Sequence, residues 1–141
     1  MELREARASD AARIAELLEQ LGYPTTEDTA RRRLELLAGS GADATWVAEH
    51  EGVIAGLVGV HISHSLEHDG PVAKVSAIVV DEAHRGRGLG AQLMAHAEDE
   101  ARRRGCVLIF LTTAERRTDA HAFYRRLGYE ETGRRFARSL D

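Results

Sequence analysis

The rhythm of apolar positions changes several times along the chain, and the changes mark its elements. Ile14, Leu17, Leu18 and Leu21 fall at i, i+3, i+4, i+7, the stripe of one helix face, with Ser9 or Asp10 as its cap. Gly22 stops that helix, and Tyr23-Pro24 forces a turn. A capping-box-like start at residues 25–28 opens a second helix, which should turn Ala30, Leu34 and Leu37 inward until Gly39-Ser40-Gly41 ends it. The helical period then gives way. Residues 45–49 read as a strand, His50-Glu51-Gly52 as a turn, and residues 53–63 as a long strand, together a hairpin. A further strand over 72–81 carries the apolar run Ile78-Val79-Val80. Leu89, Leu93, Ala97 and Ala101 restore a helical stripe over residues 88–104, stopped by Gly105. Residues 107–111 are five consecutive apolar positions, the signature of a strand buried on both faces. Ala120, Phe123, Tyr124 and Leu127 stripe a last helix up to Gly128, and residues 129–140 can make a final pair of strands bent at Gly133.

The predicted order is β-α-α-β-β-β-α-β-α-β-β. It implies an α/β (α+β) fold: a mixed, mostly antiparallel sheet, about four helices, and a β-α-β crossover between residues 72 and 111. With 141 residues and no repeat or linker, the chain reads as a single domain over 1–141. Its 43% hydrophobic and 30% charged residues fit a globular domain.

Charge and cysteine content narrow the function classes. A net charge of -4 gives no support to nucleic-acid binding. The clusters Arg31-Arg32-Arg33, Arg102-Arg103-Arg104, Arg116-Arg117 and Arg134-Arg135 read as solvated helix faces or loops. No apolar run approaches a membrane span, and the first residues lack a signal-like apolar region. Cys106 is the single cysteine, so no internal disulfide forms, and it reads as a buried, inert thiol. The expectation is a cytoplasmic protein with neither nucleic acid nor membrane as partner.

The chemistry concentrates in Arg85-Gly86-Arg87-Gly88-Leu89-Gly90, between a strand and a helix. The first N–H groups of a helix lack intrahelical partners, and its dipole favours negative charge there. Glycines let a phosphate approach the backbone, and Arg85 and Arg87 add donors. A bare glycine-rich turn would not explain the interleaved arginines. A kinase-type P-loop string is missing. Gly86, Gly88 and Ala91 formally match the dinucleotide fingerprint. Against that reading, Asp81-Glu82-Ala83-His84-Arg85 separates the strand from the first glycine, and no carboxylate ends the next strand at Leu111-Thr112-Thr113.

The string Val79-Val80-Asp81-Glu82-Ala83-His84-Arg85-Gly86-Arg87-Gly88-Leu89-Gly90 resembles the acetyl-CoA signature Arg/Gln-x-x-Gly-x-Gly/Ala of the GCN5-related N-acetyltransferases, with Arg85, Gly88 and Gly90 at its fixed positions. Ala122-Phe123-Tyr124-Arg125-Arg126-Leu127-Gly128-Tyr129 resembles the second signature, Phe-Tyr-x-x-x-Gly-Phe/Tyr. The element order fits the single-domain acyl-CoA N-acyltransferase fold over essentially the whole chain.

The resemblance implies an N-acetyltransferase that moves an acetyl group from acetyl-CoA, a cosubstrate, to a primary amine of a small molecule or peptide by direct attack. The pyrophosphate would sit on Arg85, Gly86, Arg87, Gly88, Leu89 and Gly90, and the pantetheine arm would bond the main chain of Ile78, Val79 and Val80. Tyr124 matches the tyrosine that serves the departing thiolate; from spacing alone it reads as a half-buried core aromatic. Many relatives carry a glutamate near the position of Ser76, where serine is no comparable base. That leaves water or a histidine, with His61 and His64 as candidates that are otherwise ordinary strand or surface residues. Tyr23 is a candidate wall of the acceptor pocket, or a packing residue. A metal site from His61, His64 and His68 is disfavoured, because residues 61 and 64 of a regular strand face opposite ways. Family members often dimerise, which adds a second copy to the candidate partners. Two readings compete: a CoA-binding module or sensor without turnover, and an acyltransferase using another acyl-CoA or an oxygen acceptor.

Overall fold

In the computed structural model, which describes residues 1–113 and 117–140, the rhythms resolve into β1 (Glu2–Glu5), α1 (Ala11–Leu21), α2 (Glu27–Ala38), β2 (Asp43–His50), β3 (Val53–Ser63), β4 (Val72–Val80), α3 (Leu89–Arg103), β5 (Leu108–Phe110) and α4 (Thr118–Arg126). The chain divides into two compact units, Met1–Phe110 and Leu111–Asp141.

The first unit holds one five-stranded sheet in the order β1-β2-β3-β4-β5. Neighbours are antiparallel except β4 and β5, which are parallel and joined through α3. Glu51 (φ 50°) and Gly52 (φ 79°) make the two-residue β2–β3 turn, both in the left-handed region as a tight hairpin requires. The helices take opposite faces. Val47, Leu57 and Val79 share one face and form a core with Ile14 and Leu17 of α1 and Ala30 and Leu34 of α2. On the other face Trp46 meets His96 of α3 edge-on, with ring centroids 4.6 Å apart. The α3 stripe is buried as its spacing predicts: Leu89, Leu93, Ala97 and Ala101 are all under 5% exposed.

Three expectations for this unit need correction. Asp10 stands at the N-cap of α1, but its side chain makes no capping hydrogen bond to that helix; its carboxylate accepts Arg4 Nη1 and Nη2 at 2.9 Å and the Arg7 N–H at 2.8 Å. Leu37 is 38% exposed, because α2 buries only Ala30 and Leu34 and its last turn lies beyond the core. The strand at residues 107–111 shortens to β5 and is not buried on both faces: Leu108 is 44% and Phe110 37% exposed. Leu108 and Phe110 pair with Val72 and Lys74 at the start of β4, whereas α1 and α2 pack near Val79 at its other end.

In the second unit, α4 ends at Arg126 with Leu127 as its C-cap; Gly128 (φ 94°) then turns the chain, and the Tyr129 N–H closes the turn onto the Tyr124 carbonyl. The final strand pair does not form, and residues 129–140 have no regular structure. Tyr129, Phe136, Ala137 and Leu140 do not alternate along one strand face, and Phe136 and Leu140 are 94% and 92% exposed.

Candidate functional site

β4 is the element around which the candidate site is built. Its β3 edge is paired along its length. Its other edge meets β5 only where Val72 pairs with Leu108, Ala73 with Ile109 and Lys74 with Phe110. Among the described residues no strand covers that edge over 75–80, which leaves room for an extended ligand, with the Val80 carbonyl already accepting Arg85 Nε. Ile78, Val79 and Val80 lie in this stretch, with the Val79 side chain turned into the core.

From the end of β4 the chain passes through a 3-10 turn (Glu82–His84) into the glycine loop. Gly86 (φ 80°) and Gly88 (φ 81°) adopt left-handed conformations, and a Cβ on either would point into open space. The backbone is therefore both shaped and bare. Gly88 is the N-cap of α3, so the first N–H groups of a fifteen-residue helix open on this loop. Gly90 lies in the first turn of α3, behind the buried Leu89. Arg85 Nε donates to the Val80 carbonyl at 3.1 Å, which folds that side chain back over the strand end. Arg87 is exposed and bonds no described residue. An open backbone cradle, a helix start and two arginines fit a pyrophosphate.

A network that the sequence pattern does not reveal fixes this loop. Asp81 is 7% exposed. It accepts Gln20 Nε2 at 2.8 Å and His84 Nδ1–H at 2.9 Å, and Arg13 stands 3.3 Å away. Gln20 also accepts the Glu82 N–H at 2.9 Å. Gln20's hydrogen bond, then His84's, with the Arg13 charge in support, outweigh burial and hold the Asp81 carboxyl at about 2. Gln20 and Arg13 lie on the polar flank of α1, and only the fold brings them to the strand exit.

The sheet face under α1 and α2 changes character along the strands. Beyond Val47, Leu57 and Val79 come Thr45, Gly59 and Ala77, then Asp43, His61 and Lys74. Gly59 pairs with Ala77 and Val60 with Val75, so Ser76 is an extra residue, a β-bulge. Its exposed Oγ lies 3.0 Å from where a Gly59 Cβ would sit, and Thr45 Oγ1 lies 3.7 Å from the same point. A Cβ at Gly59 would need Ser76 Oγ to give way by a few tenths of an ångström. One step further along, His61 Nδ1–H donates to Asp43 Oδ1 at 2.9 Å. Asp43 is absent from the sequence-based candidates.

The remaining candidates separate. Tyr124 is 9% exposed, and its ring meets Phe123 and Tyr129 edge-on at 5.2 and 6.1 Å. Burial pushes its phenol above the usual value, with the Arg117 charge opposing, so the proton is retained at neutral pH. Tyr23 is 65% exposed. His64 lies past the end of β3, and His68 bonds Ser65 at 3.0 Å. No group of three metal-binding side chains gathers among the described residues. Cys106 is half-buried rather than buried, and burial raises its thiol. Arg31, Arg102, Arg103 and Arg104 pair with acidic neighbours on their own helices, while Arg116 lies outside the described residues. No described helix is long and apolar enough to cross a membrane.

With this geometry in place, a profile of the Acetyltransferase (GNAT) family matches residues 11–129, and the chain belongs to that family. An aminoalkylphosphonate N-acetyltransferase of Salmonella typhimurium is 37% identical over 94 residues, which are 67% of this chain and 61% of that protein. The chain thus matches somewhat less than two thirds of that relative's length. The crystal structure of a transcriptional regulator from Bacillus halodurans C-125 superposes with a TM-score of 0.90 at 25% identity, covering 99% of each chain. An aminoglycoside N-acetyltransferase in complex with CoA superposes with a TM-score of 0.85 at 23% identity, covering 99% of this chain and 93% of that one, a likeness of fold.

Proposed function

We propose that the chain is one acetyl-CoA-dependent N-acetyltransferase domain, acting on a primary amine of a small molecule or peptide in the cytoplasm. The observation that carries the reading is the succession of two ligand features: β4's edge, uncovered over residues 75–80, leads through one 3-10 turn to a loop where Gly86 and Gly88 bare the start of α3. Acetyl-CoA supplies an activated acetyl thioester. Arg85, Gly86, Arg87, Gly88, Leu89 and Gly90 would hold its pyrophosphate, and the main chain of Ile78, Val79 and Val80 its pantetheine. At roughly 3.3 Å per residue, the four steps from Val80 back to Ser76 span about 13 Å, so the acetyl end would lie near the Ser76 bulge. Tyr124, buried and protonated, is our donor to the departing thiolate.

The acceptor class is read from the named relative, which directs attention to amines that carry a phosphonate. The net charge of -4 and the acidic Asp43 on the open face favour a cationic amine group. Tyr23 would form part of the wall of the acceptor pocket.

A thermal-shift panel of CoA, acetyl-CoA, NAD and ATP tests the ligand class. Stabilisation by the two CoA compounds is expected. Stabilisation by NAD alone would overturn the reading.

A further inference from the structure

We propose that His61 is the proton acceptor for the incoming amine and that Asp43 is its positioning residue; this rests on the acetyl-transfer reading above. A carboxylate only accepts hydrogen bonds, so the 2.9 Å contact to Asp43 puts the imidazole proton on Nδ1. Neutral His61 therefore presents a bare Nε2. The Asp43 side chain is 14% exposed and that of His61 46%, so the carboxylate is the fixed partner and the imidazole the accessible one.

Position supports the assignment. His61 shares a sheet face with Gly59, two residues back, or roughly 7 Å along the strand. Ser76 Oγ lies over Gly59, beside the stretch of β4 where the acetyl end would lie. An amine seated beside Ser76 on this face is then within reach of Nε2, directly or through one water. Ser76, Thr45 and Gly59 around it offer no base. The charged residues paired with His61 across the strands are Asp43 of β2 and Lys74 of β4.

The step balances. His61 Nε2 takes one proton from the substrate ammonium, and the freed nitrogen lone pair attacks the thioester carbonyl. A C–N bond forms and the C–S bond breaks, with sulfur leaving on its electron pair. The second amine proton ends on the thiolate, through Tyr124 in our reading. The exposed His61 then returns its proton to water.

The test compares the unmodified chain with His61→Ala, His61→Gln and Asp43→Asn, using acetyl-CoA and the amine that turns over fastest. Turnover is read against pH, with and without added imidazole, and acetyl-CoA affinity is measured by calorimetry. Both His61 variants should lose about a hundredfold or more in kcat and the acid limb of the pH profile, with acetyl-CoA affinity nearly unchanged. Imidazole should restore part of the His61→Ala rate, and Asp43→Asn should lose about tenfold. A His61 variant within about threefold of the unmodified rate, with its acid limb intact, would overturn the proposal. So would losses of rate and acetyl-CoA affinity that match, since the role would then be structural. Absence of turnover by the unmodified chain with every amine would instead sink the acetyl-transfer reading.

Discussion

Two histidine–carboxylate pairs lie on the first unit with the same 2.9 Å contact, and they are built for different ends. In Asp81–His84 the carboxylate is saturated: Gln20, His84 and Arg13 all address it, and the histidine side chain is only 20% exposed. In Asp43–His61 the carboxylate has one side-chain partner among the described hydrogen bonds, and the histidine is 46% exposed. The first pair spends its bonds tying a strand exit to α1 and so shapes the glycine loop. The second leaves a ring nitrogen free on an open face. A histidine–carboxylate contact does not by itself define a function. What else the carboxylate holds, and what the imidazole can reach, separate a brace from a base.

The comparison divides binding from chemistry, and substitutions can break it. The largest effect should come at the loop that the first pair supports. Gly88→Asp and Gly88→Asn carry similar backbone strain at φ 81°, so their difference isolates charge. A carboxylate about 4 Å from a phosphate costs about 4 kcal/mol at an intermediate dielectric, so the Asp variant should bind acetyl-CoA about a thousandfold more weakly than the Asn variant. Equal affinities by calorimetry would remove the phosphate from this loop. On the side of chemistry, Tyr124→Phe should lower kcat by about ten- to a hundredfold and leave acetyl-CoA affinity nearly unchanged. An unaffected kcat would take Tyr124 out of the mechanism.

The two aspartates themselves should respond oppositely. Asp81→Asn should destabilise the fold by about 2 kcal/mol, seen as a lower Tm, because charge-assisted bonds to Gln20, His84 and Arg13 weaken together. Asp43→Asn should leave Tm almost unmoved while changing the pH profile. A reversed pattern would exchange the two assignments. The smallest effect is on acid stability. The Asp81 carboxyl is held at about 2, below its ordinary 3.8, so its contribution is fully present above pH 4 and is lost as pH falls from about 4 to 2. Over that window the Asp81→Asn variant should lose less stability than the unmodified chain in acid titration.

Much of this was legible in the chain. The bounds of β3, the buried stripe of α3 and the glycine loop all follow from local pattern, because each depends on residues close in sequence. The Asp43–His61 pair does not. An undisturbed hairpin with the observed two-residue turn would set Ala42 opposite His61. Ala55 is an extra residue on β3, and its bulge moves the register by one, which brings Asp43 across instead. Alternation carries no signal for a bulge. The same blindness hid Ser76's place over Gly59. An apolar run also cannot say which end of a neighbour it pairs with, so the exposure of β5 was beyond reach. Gln20 and Arg13 read as ordinary polar positions of an amphipathic helix, and only the chain's return at Asp81 gives them a task.

Acetyl transfer from the cofactor held at Gly86 and Gly88 is the centre of the proposed function, and turnover tests it most directly. Acetyl-CoA is incubated with the protein and a panel of aminoalkylphosphonates, aminoglycosides, polyamines, amino acids and a short peptide. Free thiol and acetylated amine are measured together. The account predicts that at least one amine yields thiol and N-acetyl product in equal amounts, well above the rate without protein. Tight acetyl-CoA binding with no thiol release from any amine would contradict it and leave a binding module in place of an enzyme.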